Sequence, residues 1–306
     1  MKKIILVLLV LFVSVGYLQA SGTAGMQFLK IGADARGNSL SGAVLSTVSG
    51  VDSLYWNPAG LNSIKGREAM LTYNHWLANM QYIYVGFGMP LLISKLGRVA
   101  GSVTYVSEGS VDNVGAVQDN LKNGSYDLAL SGGYAMKLGK IHLGGAIRFI
   151  TKSIFGYQST GATVDIGGQM GIPGVNGLTV GMVAKNLGIA FGDISDLMPM
   201  TYQIGANYKY VMKDNSINAM VSSDIMVDDS PYVNVGAEYG YRDALYVRVG
   251  YRVETAGNVL GGTKGLSVGL GGKIENLLVN DMKADVTWLP MADLGNIMQV
   301  SLTVGF

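Results

Sequence analysis

The sequence predicts an all-β fold: a transmembrane antiparallel β-barrel of about 14 strands with an N-terminal hatch or plug segment. Three observations predict it. From residue 67 onward, the chain alternates apolar and polar positions in runs of about ten residues that are separated by turn residues. The connections between runs are alternately short and long. The last run, residues 298–306, has an apolar face and a polar or small face and ends on an aromatic residue.

Taken alone, that last run would also suit the edge strand of a soluble β-sandwich, whose apolar face packs on a second sheet. In an outer membrane the same face meets lipid, and the polar face lines a lumen. A strand that ends on an exposed aromatic residue offers a handle for assembly of the barrel. Phe306 is therefore the candidate assembly signal.

The composition narrows the class of protein and its partners. The chain is 49% hydrophobic and 14% charged and has 44 glycines, which is too apolar for a disordered chain and too rich in glycine for a helical one. A net charge of +1, without a basic stripe, argues against a nucleic-acid partner. The lack of cysteine excludes disulfides and thiolate metal sites. We expect no cofactor.

Residues 1–20 have the composition of a secretory signal peptide. Lys2 and Lys3 give a basic start, residues 4–13 are apolar, and residues 18–20 suit a cleavage site. The apolar run is shorter than the roughly 20 residues that a spanning anchor needs, so cleavage is favoured over an uncleaved anchor. After Ala20 no stretch of about 18 apolar residues recurs, and any further membrane insertion must use strands.

Residues 21–66 alternate poorly and form the predicted hatch, ahead of a barrel domain at residues 67–306. Asp52 or Ser53 can cap a short helix, which Pro58 should end at or before Asn57. The alternative is a loose tail outside the barrel, because chain termini are often disordered. The candidate hatch residues are Asp34, Arg36, Gly37, Asp52, Trp56, Asn57, Pro58 and Gly60.

The barrel strands follow from the alternating runs and the turn residues between them. We predict strands near residues 68–76, 80–89, 97–107, 125–136, 141–154, 161–171, 178–186, 200–211, 217–226, 231–241, 244–253, 266–274, 282–289 and 297–306. An even number of strands puts both ends of the barrel on the same, periplasmic side.

The lengths of the connections test this assignment, because periplasmic turns should be short and extracellular loops longer. The predicted turns include 137–140, 212–216 and 242–243, and the predicted loops include 108–124, 187–199 and 254–265. Connections 90–96 and 77–79 fit less well. A soluble sandwich has no reason to segregate its loops in this way, so the membrane barrel is favoured.

The two faces of the strands differ in kind. Along 245–252, Arg248 and Arg252 lie on the face opposite four apolar residues, and burying them in a soluble core would be costly. A polar lumen accepts them, and many other inward positions are small. The predicted lumenal charges are Arg148, Asp165, Glu238, Arg248 and Arg252. We predict that Arg36 and Asp52 of the hatch bond to lumenal charges rather than face water.

Two sequence stretches carry a family resemblance. Residues 32–37, Gly-Ala-Asp-Ala-Arg-Gly, and residues 55–61, Tyr-Trp-Asn-Pro-Ala-Gly-Leu, resemble the PorV/PorQ family of outer-membrane proteins, and Lys185-Asn186-Leu187-Gly188 is similar to another feature of that family. The family belongs to the superfamily of the fatty-acid transporter FadL. The resemblance implies an N-terminal hatch and a fourteen-stranded barrel. In some members it also implies a role in type IX secretion, in which the barrel receives secreted cargo and helps attach it to the cell surface.

The sequence indicates no enzyme. His75 and His142 are predicted on opposite faces, the lipid and the lumen side, without the nucleophile and orienting partner that a general base needs. No nucleophile elbow or histidine pair with zinc-ligand spacing occurs. Asp228 and Asp229 are too few for a calcium site, and a solvated turn is expected there.

Two function classes remain. The first is a docking or scaffold barrel, with outer-membrane lipid, the barrel-assembly machinery, and secreted cargo or secretion-system proteins as partners. The second is a FadL-like channel that takes up a hydrophobic small-molecule ligand. A channel of this kind needs a continuous apolar pocket inside the barrel, whereas the inward positions look small and charged. Docking is therefore the favoured hypothesis from the sequence.

Deletion of Phe306 tests the predicted assembly signal. We expect less assembled barrel, because the terminal strand loses its aromatic end. The measurement is the yield of heat-modifiable protein in outer-membrane fractions, and an unchanged yield would contradict the prediction.

Overall fold

The structure is a computed structural model that describes residues 24–93, 96–107, 125–154, 157–192, 197–254, 265–275, 281–291 and 295–306. The predicted signal peptide and the predicted loop at 108–124 lie outside the described residues, as do 255–264. No helix in the described ranges is long and apolar enough to cross a membrane.

The described chain contains fourteen antiparallel strands in one closed barrel, each paired with its neighbours in sequence, and β1 closes on β14. The predicted all-β barrel of about 14 antiparallel strands is confirmed. The strands are β1 (Glu68–His75), β2 (Gln81–Pro90), β3 (Arg98–Ser107), β4 (Tyr126–Leu138), β5 (Ile141–Ile154), β6 (Tyr157–Gly171), β7 (Leu178–Gly192), β8 (Thr201–Met212), β9 (Asn215–Met226), β10 (Tyr232–Tyr241), β11 (Leu245–Glu254), β12 (Leu266–Glu275), β13 (Asp281–Pro290) and β14 (Asn296–Gly305).

The barrel has two distinct ends. At the turn end, Glu68 of β1 lies opposite Gly305 of β14, and brief connections such as 213–214 join neighbouring strands. At the loop end lie the connections after β1, β3, β5, β7, β9, β11 and β13. One of them holds a short 3-10 helix, Leu77–Asn79.

Side chains alternate between the two faces as the sequence predicts. In β14, Gln299 and Ser301 are buried inside, while Met298 and Val300 are exposed outside. Ser301 Oγ lies 2.9 Å from Thr72 Oγ1 of β1, so polar contacts across the lumen face reinforce the closing pair of strands.

Among the strand pairs that the structure describes, the register shifts once, between β6 and β7. Val164 of β6 pairs with Leu187 and Ile166 pairs with Ala184, so both Lys185 and Asn186 lie opposite Asp165. This is a β-bulge, in which two residues on one strand face one on its neighbour. Asn186 has a φ of 57°, and both Lys185 and Asn186 are buried on the inside.

The bulge corrects one predicted boundary. We expected the strand to end at Asn186, but β7 continues to Gly192 along β6. The period-two pattern shifts by one residue at a bulge, which makes a continuous strand look as if it has ended.

Residues 24–66, which we call the N-terminal segment, form short helices. They are a 3-10 helix (Gln27–Lys30), α1 (Ala35–Ser39), α2 (Ser53–Trp56) and a second 3-10 helix (Pro58–Ser63). Asp34 caps α1, since its Oδ2 accepts from the Gly37 N–H at 2.8 Å. Asn57 caps the second 3-10 helix through the Ala59 N–H at 3.2 Å. Asp52 occupies the N-cap position of α2 but makes no side-chain capping bond there, so the expected role of Asp52 as a cap is wrong.

The N-terminal segment packs against inward-facing positions of the strands. Helix α1 contacts β11 to β14, and the second 3-10 helix contacts β3 to β6. Glycines permit this close approach: a Cβ on Gly144 would overlap the backbone of Pro58 and Ala59, and one on Gly250 would overlap the backbone of Leu40. The small inward residues therefore make room for the segment.

We expect Gly144→Ala to loosen the N-terminal segment, because the new methyl group collides with backbone that cannot rotate away. The measurement is limited trypsin digestion of the folded barrel, with cleavage at Arg36 as the readout. Gly132→Ala in β4 is the matched control, since a Cβ there meets nothing within 4 Å. Equal protection of Arg36 in both variants would contradict the prediction.

Candidate functional site

The lumen around the N-terminal segment is the candidate site, and one side of it is a cluster of charges. Glu238 Oε2 on β10 accepts from Arg36 Nε at 2.9 Å and from Arg248 Nε at 2.6 Å. Arg248 Nη1 also donates to Asp285 Oδ1 at 2.6 Å. Asn218 Nδ2 donates to Glu238 Oε1 at 3.0 Å. Glu238 and Arg248 are each 4% exposed, so a loss of either partner would leave a buried charge unpaired.

A second charged cluster fixes the bulge of β7. Arg148 Nη2 donates to Asp165 Oδ2 at 3.0 Å, and Arg148 Nη1 donates to Asn186 Oδ1 at 2.6 Å. The Asn186 N–H donates to Asp165 Oδ1 at 2.6 Å, and Asn186 Nδ2 donates to the Pro199 carbonyl at 3.1 Å. The backbone N–H and both side-chain polar atoms of Asn186 therefore have partners.

Two carboxylates of the N-terminal segment lie close together and are poorly solvated. Burial raises the pKa of Asp34, although its carboxylate accepts hydrogen bonds from Trp56 Nε1 and from the Gly37 N–H. Desolvation raises the pKa of Asp52 well above its usual range, and the charges of Asp34 and Glu68 add to this effect. Arg36 and Lys283 oppose the rise without cancelling it.

The remaining predicted lumenal charge, Arg252, donates from Nε to Asn234 Oδ1 at 3.1 Å. Of the predicted hatch residues, Gly37 lies where a Cβ would meet the Trp56 ring, and Gly60 lies where one would meet Val48 and Ser53.

The predicted assembly residue, Phe306, is exposed at the turn end of the barrel, where its N–H donates to the Arg67 carbonyl at 2.8 Å.

The other side of the lumen, which we call the apolar side, has an apolar cluster next to the Arg148–Asp165 pair. Inward side chains of β2 to β5 pack against the segment together with Met198 from the connection before β8. The wall residues are Tyr82, Tyr84, Val106, Ala129 and Ile150, and the segment residues include Val51, Leu54, Leu61 and Ile64. All of these residues are at most 2% exposed. The expectation of a lumen that is small and charged throughout is therefore wrong on this side.

A polar cavity of about 480 Å³ lies at the turn end, beneath the segment. Its lining includes Asp34, Asp52, Lys209, Lys273 and Lys283. Among the described residues, no group of three or more His, Asp or Glu side chains could hold a metal ion. The histidines lie where the sequence predicts: His75 is exposed on the outside and His142 lines this cavity.

A smaller cavity of about 100 Å³ lies toward the loop end, between the segment and β7 to β11. Lys185 reaches into it across the rings of the segment, with its Nζ 3.9 Å from the centre of Tyr55 and 5.5 Å from that of Trp56. Such cation–π contacts contribute about 2 kcal/mol when desolvated. Removing an ammonium group from water costs several kcal/mol.

Sequence reasoning missed the contacts of this region. Asp228 is 1% exposed, and its Oδ2 accepts from Lys30 Nζ at 2.7 Å, so the expected solvated turn at Asp228 is wrong. Lys185 was noticed only as part of a resemblance. No local signal marks either residue, because both depend on the segment folding back over the wall.

Comparisons with known proteins identify the fold. No described protein family and no curated protein matches the sequence. Among solved structures, a Pseudomonas aeruginosa FadL homologue is 11% identical, with a TM-score of 0.59 over 90% of this chain and 98% of that one. The CymD monoaromatic hydrocarbon channel is 12% identical, with a TM-score of 0.56 over 90% and 98% of the two chains. The Ralstonia pickettii toluene transporter TbuX is 11% identical, with a TM-score of 0.50 over 87% and 96%. The chain has the fold of FadL-type outer-membrane barrels.

The buried cluster of Arg36, Glu238 and Arg248 should contribute strongly to the stability of the folded barrel. We expect Glu238→Gln to lower the free energy of unfolding by about 3–5 kcal/mol, because Arg36 and Arg248 lose their shared carboxylate. The measurement is denaturant-induced unfolding in detergent.

The matched control for Glu238→Gln is Asp214→Asn, which removes a carboxylate from an exposed pair with Arg242. Its N–O distance is 3.9 Å, and the side chains are 64% and 68% exposed, so we expect a loss of less than about 1 kcal/mol. Equal losses in the two variants would contradict the prediction.

The raised pKa of Asp52 predicts a pH dependence. The folded state holds this proton more tightly than the unfolded chain does, so stability falls as pH rises from the ordinary aspartate pKa of 3.8 through the raised value. Asp52→Asn removes this loss. We expect the stability gain of the variant over the parent to grow as pH rises above about 4. If the difference in free energy of unfolding between Asp52→Asn and the parent stayed constant with pH, the raised pKa of Asp52 would be refuted.

Proposed function

We propose that this protein is a non-enzymatic outer-membrane channel that takes up hydrophobic small molecules, with the N-terminal segment as its plug. The observation that carries the proposal is the apolar side of the lumen, where residues of β2 to β5 face the segment. The sequence-based preference for docking rested on a lumen without such a surface. This surface is covered by the segment, and it is the kind of apolar lining along which a hydrophobic molecule can bind, so it supports the channel.

The exterior of the barrel supports a membrane location. Exposed apolar side chains such as Leu71, Val85 and Leu130 cover the middle of the outer face. Exposed aromatic side chains lie toward both ends, with Tyr73, Tyr105, Tyr202, Tyr251 and Trp288 at the loop end and Phe87, Tyr134, Tyr208 and Tyr239 at the turn end. An apolar band between two aromatic girdles suits a barrel in an outer membrane. Removal of residues 1–20 and insertion by the barrel-assembly machinery belong to this proposal.

The structures with this fold support the substrate class. CymD is described as a monoaromatic hydrocarbon channel and TbuX as a toluene transporter. In the present chain the apolar side is filled by packed side chains, so passage requires the segment to move. We infer that the segment opens on this side, where displacement breaks apolar contacts and hydrogen bonds such as that from Asn62 Nδ2 to the Met136 carbonyl, and does not require the Arg36–Glu238 pair to separate.

A docking role in protein secretion is the hypothesis that the PorV/PorQ resemblance implies. The contacts described above are all internal to the barrel and give no independent support for a protein partner. The resemblance itself stays a prediction, and co-purification provides its test.

Uptake of a labelled monoaromatic hydrocarbon by cells tests the channel. We expect cells that carry the protein to take up the compound at low concentration faster than cells without it. Ile150→Asn should reduce the uptake that depends on the protein about tenfold. It places an amide in the apolar surface, where Ile150 is 2% exposed. Lys209→Gln, at the polar turn-end cavity, is the control and should leave uptake unchanged.

Equal uptake with and without the protein would overturn the channel proposal. So would stoichiometric co-purification of a secreted protein in the absence of uptake, which would favour docking. Each variant is first checked for a heat-modifiable band, so that a loss of uptake is not a loss of folding.

A further inference from the structure

The loop-end cavity contains a buried cation without an acceptor. Lys185 is 5% exposed, and its described contacts are with the faces of Tyr55 and Trp56. An ammonium group has three N–H donors, and aromatic faces do not replace hydrogen-bond acceptors. Within the described ranges, no carboxylate or carbonyl oxygen forms a hydrogen bond or ion pair with Lys185 Nζ. Lys185 therefore lacks the acceptor that a buried cation ordinarily has.

The same cavity also contains buried acceptors that lack donors. Asp224 of β9 is 3% exposed, and Gln203 of β8 is 8% exposed. Asp224 Oδ1 and Gln203 Oε1 accept no hydrogen bond from the part of the chain that the structure describes. Both residues line the cavity with Lys185. A buried polar atom without a partner calls for an explanation, such as a bound molecule.

The unmet groups define the chemistry of an occupant. Lys185 offers donors to an anionic oxygen, while Asp224 and Gln203 offer acceptors to a cationic or neutral N–H. Lys185 and Asp224 form no ion pair, although both line the same cavity. An occupant that satisfies these groups presents a negative group to Lys185 on β7 and an N–H donor to Gln203 on β8 and Asp224 on β9.

The size of the cavity limits the occupant further. A volume of about 100 Å³ holds about three waters, given a share of about 30 Å³ for each in the liquid. An organic occupant has room for only a handful of non-hydrogen atoms. Tyr55 and Trp56 line the cavity with flat, partly apolar surface, which suits a short carbon chain.

We propose that this cavity is a binding site for a small zwitterion of the α-amino acid class, whose carboxylate accepts from Lys185 Nζ and whose ammonium donates to Asp224 Oδ1 and Gln203 Oε1. The site is separate from the apolar side of the lumen, and it goes beyond the proposed uptake of hydrophobic molecules. It joins the N-terminal segment to the wall, because Tyr55 and Trp56 come from the segment and Lys185 and Asp224 from the strands.

Isothermal titration of the purified, full-length protein in detergent with L-alanine and glycine tests the site. We expect saturable binding at one site per chain. Propionate lacks the ammonium and ethylamine lacks the carboxylate, so each should bind at least about tenfold more weakly than alanine. Because this comparison uses the unaltered protein, it does not depend on any variant folding.

Two variants and one control assign the groups. Lys185→Met and Asp224→Asn should each weaken alanine binding about tenfold or more. Lys209→Met, which removes a lysine from the turn-end cavity, should leave it unchanged. A heat-modifiable band shows that each variant is folded, and the ligand comparison decides the matter if Lys185→Met is not.

Three results would overturn the proposal. Absence of saturable binding of alanine and glycine up to about 10 mM would mean that the cavity holds water only. Propionate binding as tight as that of alanine would remove the role of Asp224 and Gln203. Undiminished alanine binding by a folded Lys185→Met would place the bound molecule elsewhere.

Discussion

The pairing of β1 with β14 is the constraint on which the rest of this structure depends. A sheet that faces lipid cannot leave N–H and C=O groups unpaired along an edge, so it must close. Closure with fourteen strands creates a second requirement. About eight strands leave an interior that side chains from the wall can fill, and a wider barrel encloses a channel or a plug. In this chain the N-terminal segment fills the space, and glycines such as Gly144 and Gly250 let its backbone reach the wall.

The two sides of the lumen hold the segment by different physical means. Toward β10 to β13, Arg36 shares Glu238 with Arg248, and separating these groups would strand a charge in a poorly solvated interior. Toward β2 to β5 the buried contacts are largely apolar, and hydrogen bonds from Asn62 Nδ2 to the Met136 carbonyl and from Arg98 Nε to the Ile64 carbonyl join them. Opening on the apolar side breaks apolar contacts and a few hydrogen bonds, whereas opening toward β10 to β13 separates Arg36 from Glu238. This asymmetry makes a gated channel for hydrophobic molecules physically coherent.

The bulge in β7 determines which side chains line the lumen near the loop-end cavity. By placing Lys185 and Asn186 opposite Asp165, it turns two consecutive side chains into the lumen. Asn186 completes the network with Arg148 and Asp165, and Lys185 is left against Tyr55 and Trp56. A strand without the bulge would send one of the two side chains toward lipid. The position of Lys185 in the loop-end cavity is thus a consequence of one extra residue in a strand.

The sequence by itself determined the barrel, the number of strands, nearly every strand boundary and the inward positions of Arg148, Glu238 and Arg248. It could do so because a strand with lipid on one face and a lumen on the other must alternate with a period of two, which is a local pattern. Only the tertiary structure decided the course of β7 past Asn186, the apolar side of the lumen, and the contacts of Asp228 and Lys185. Inward positions of β2 to β5 mix apolar residues such as Tyr82 and Ile150 with polar ones such as Arg148, so alternation alone does not predict an apolar surface inside the barrel. Asp228 and Lys185 acquire their partners from the N-terminal segment, more than 100 residues away in the chain, and no local pattern encodes a contact of that range.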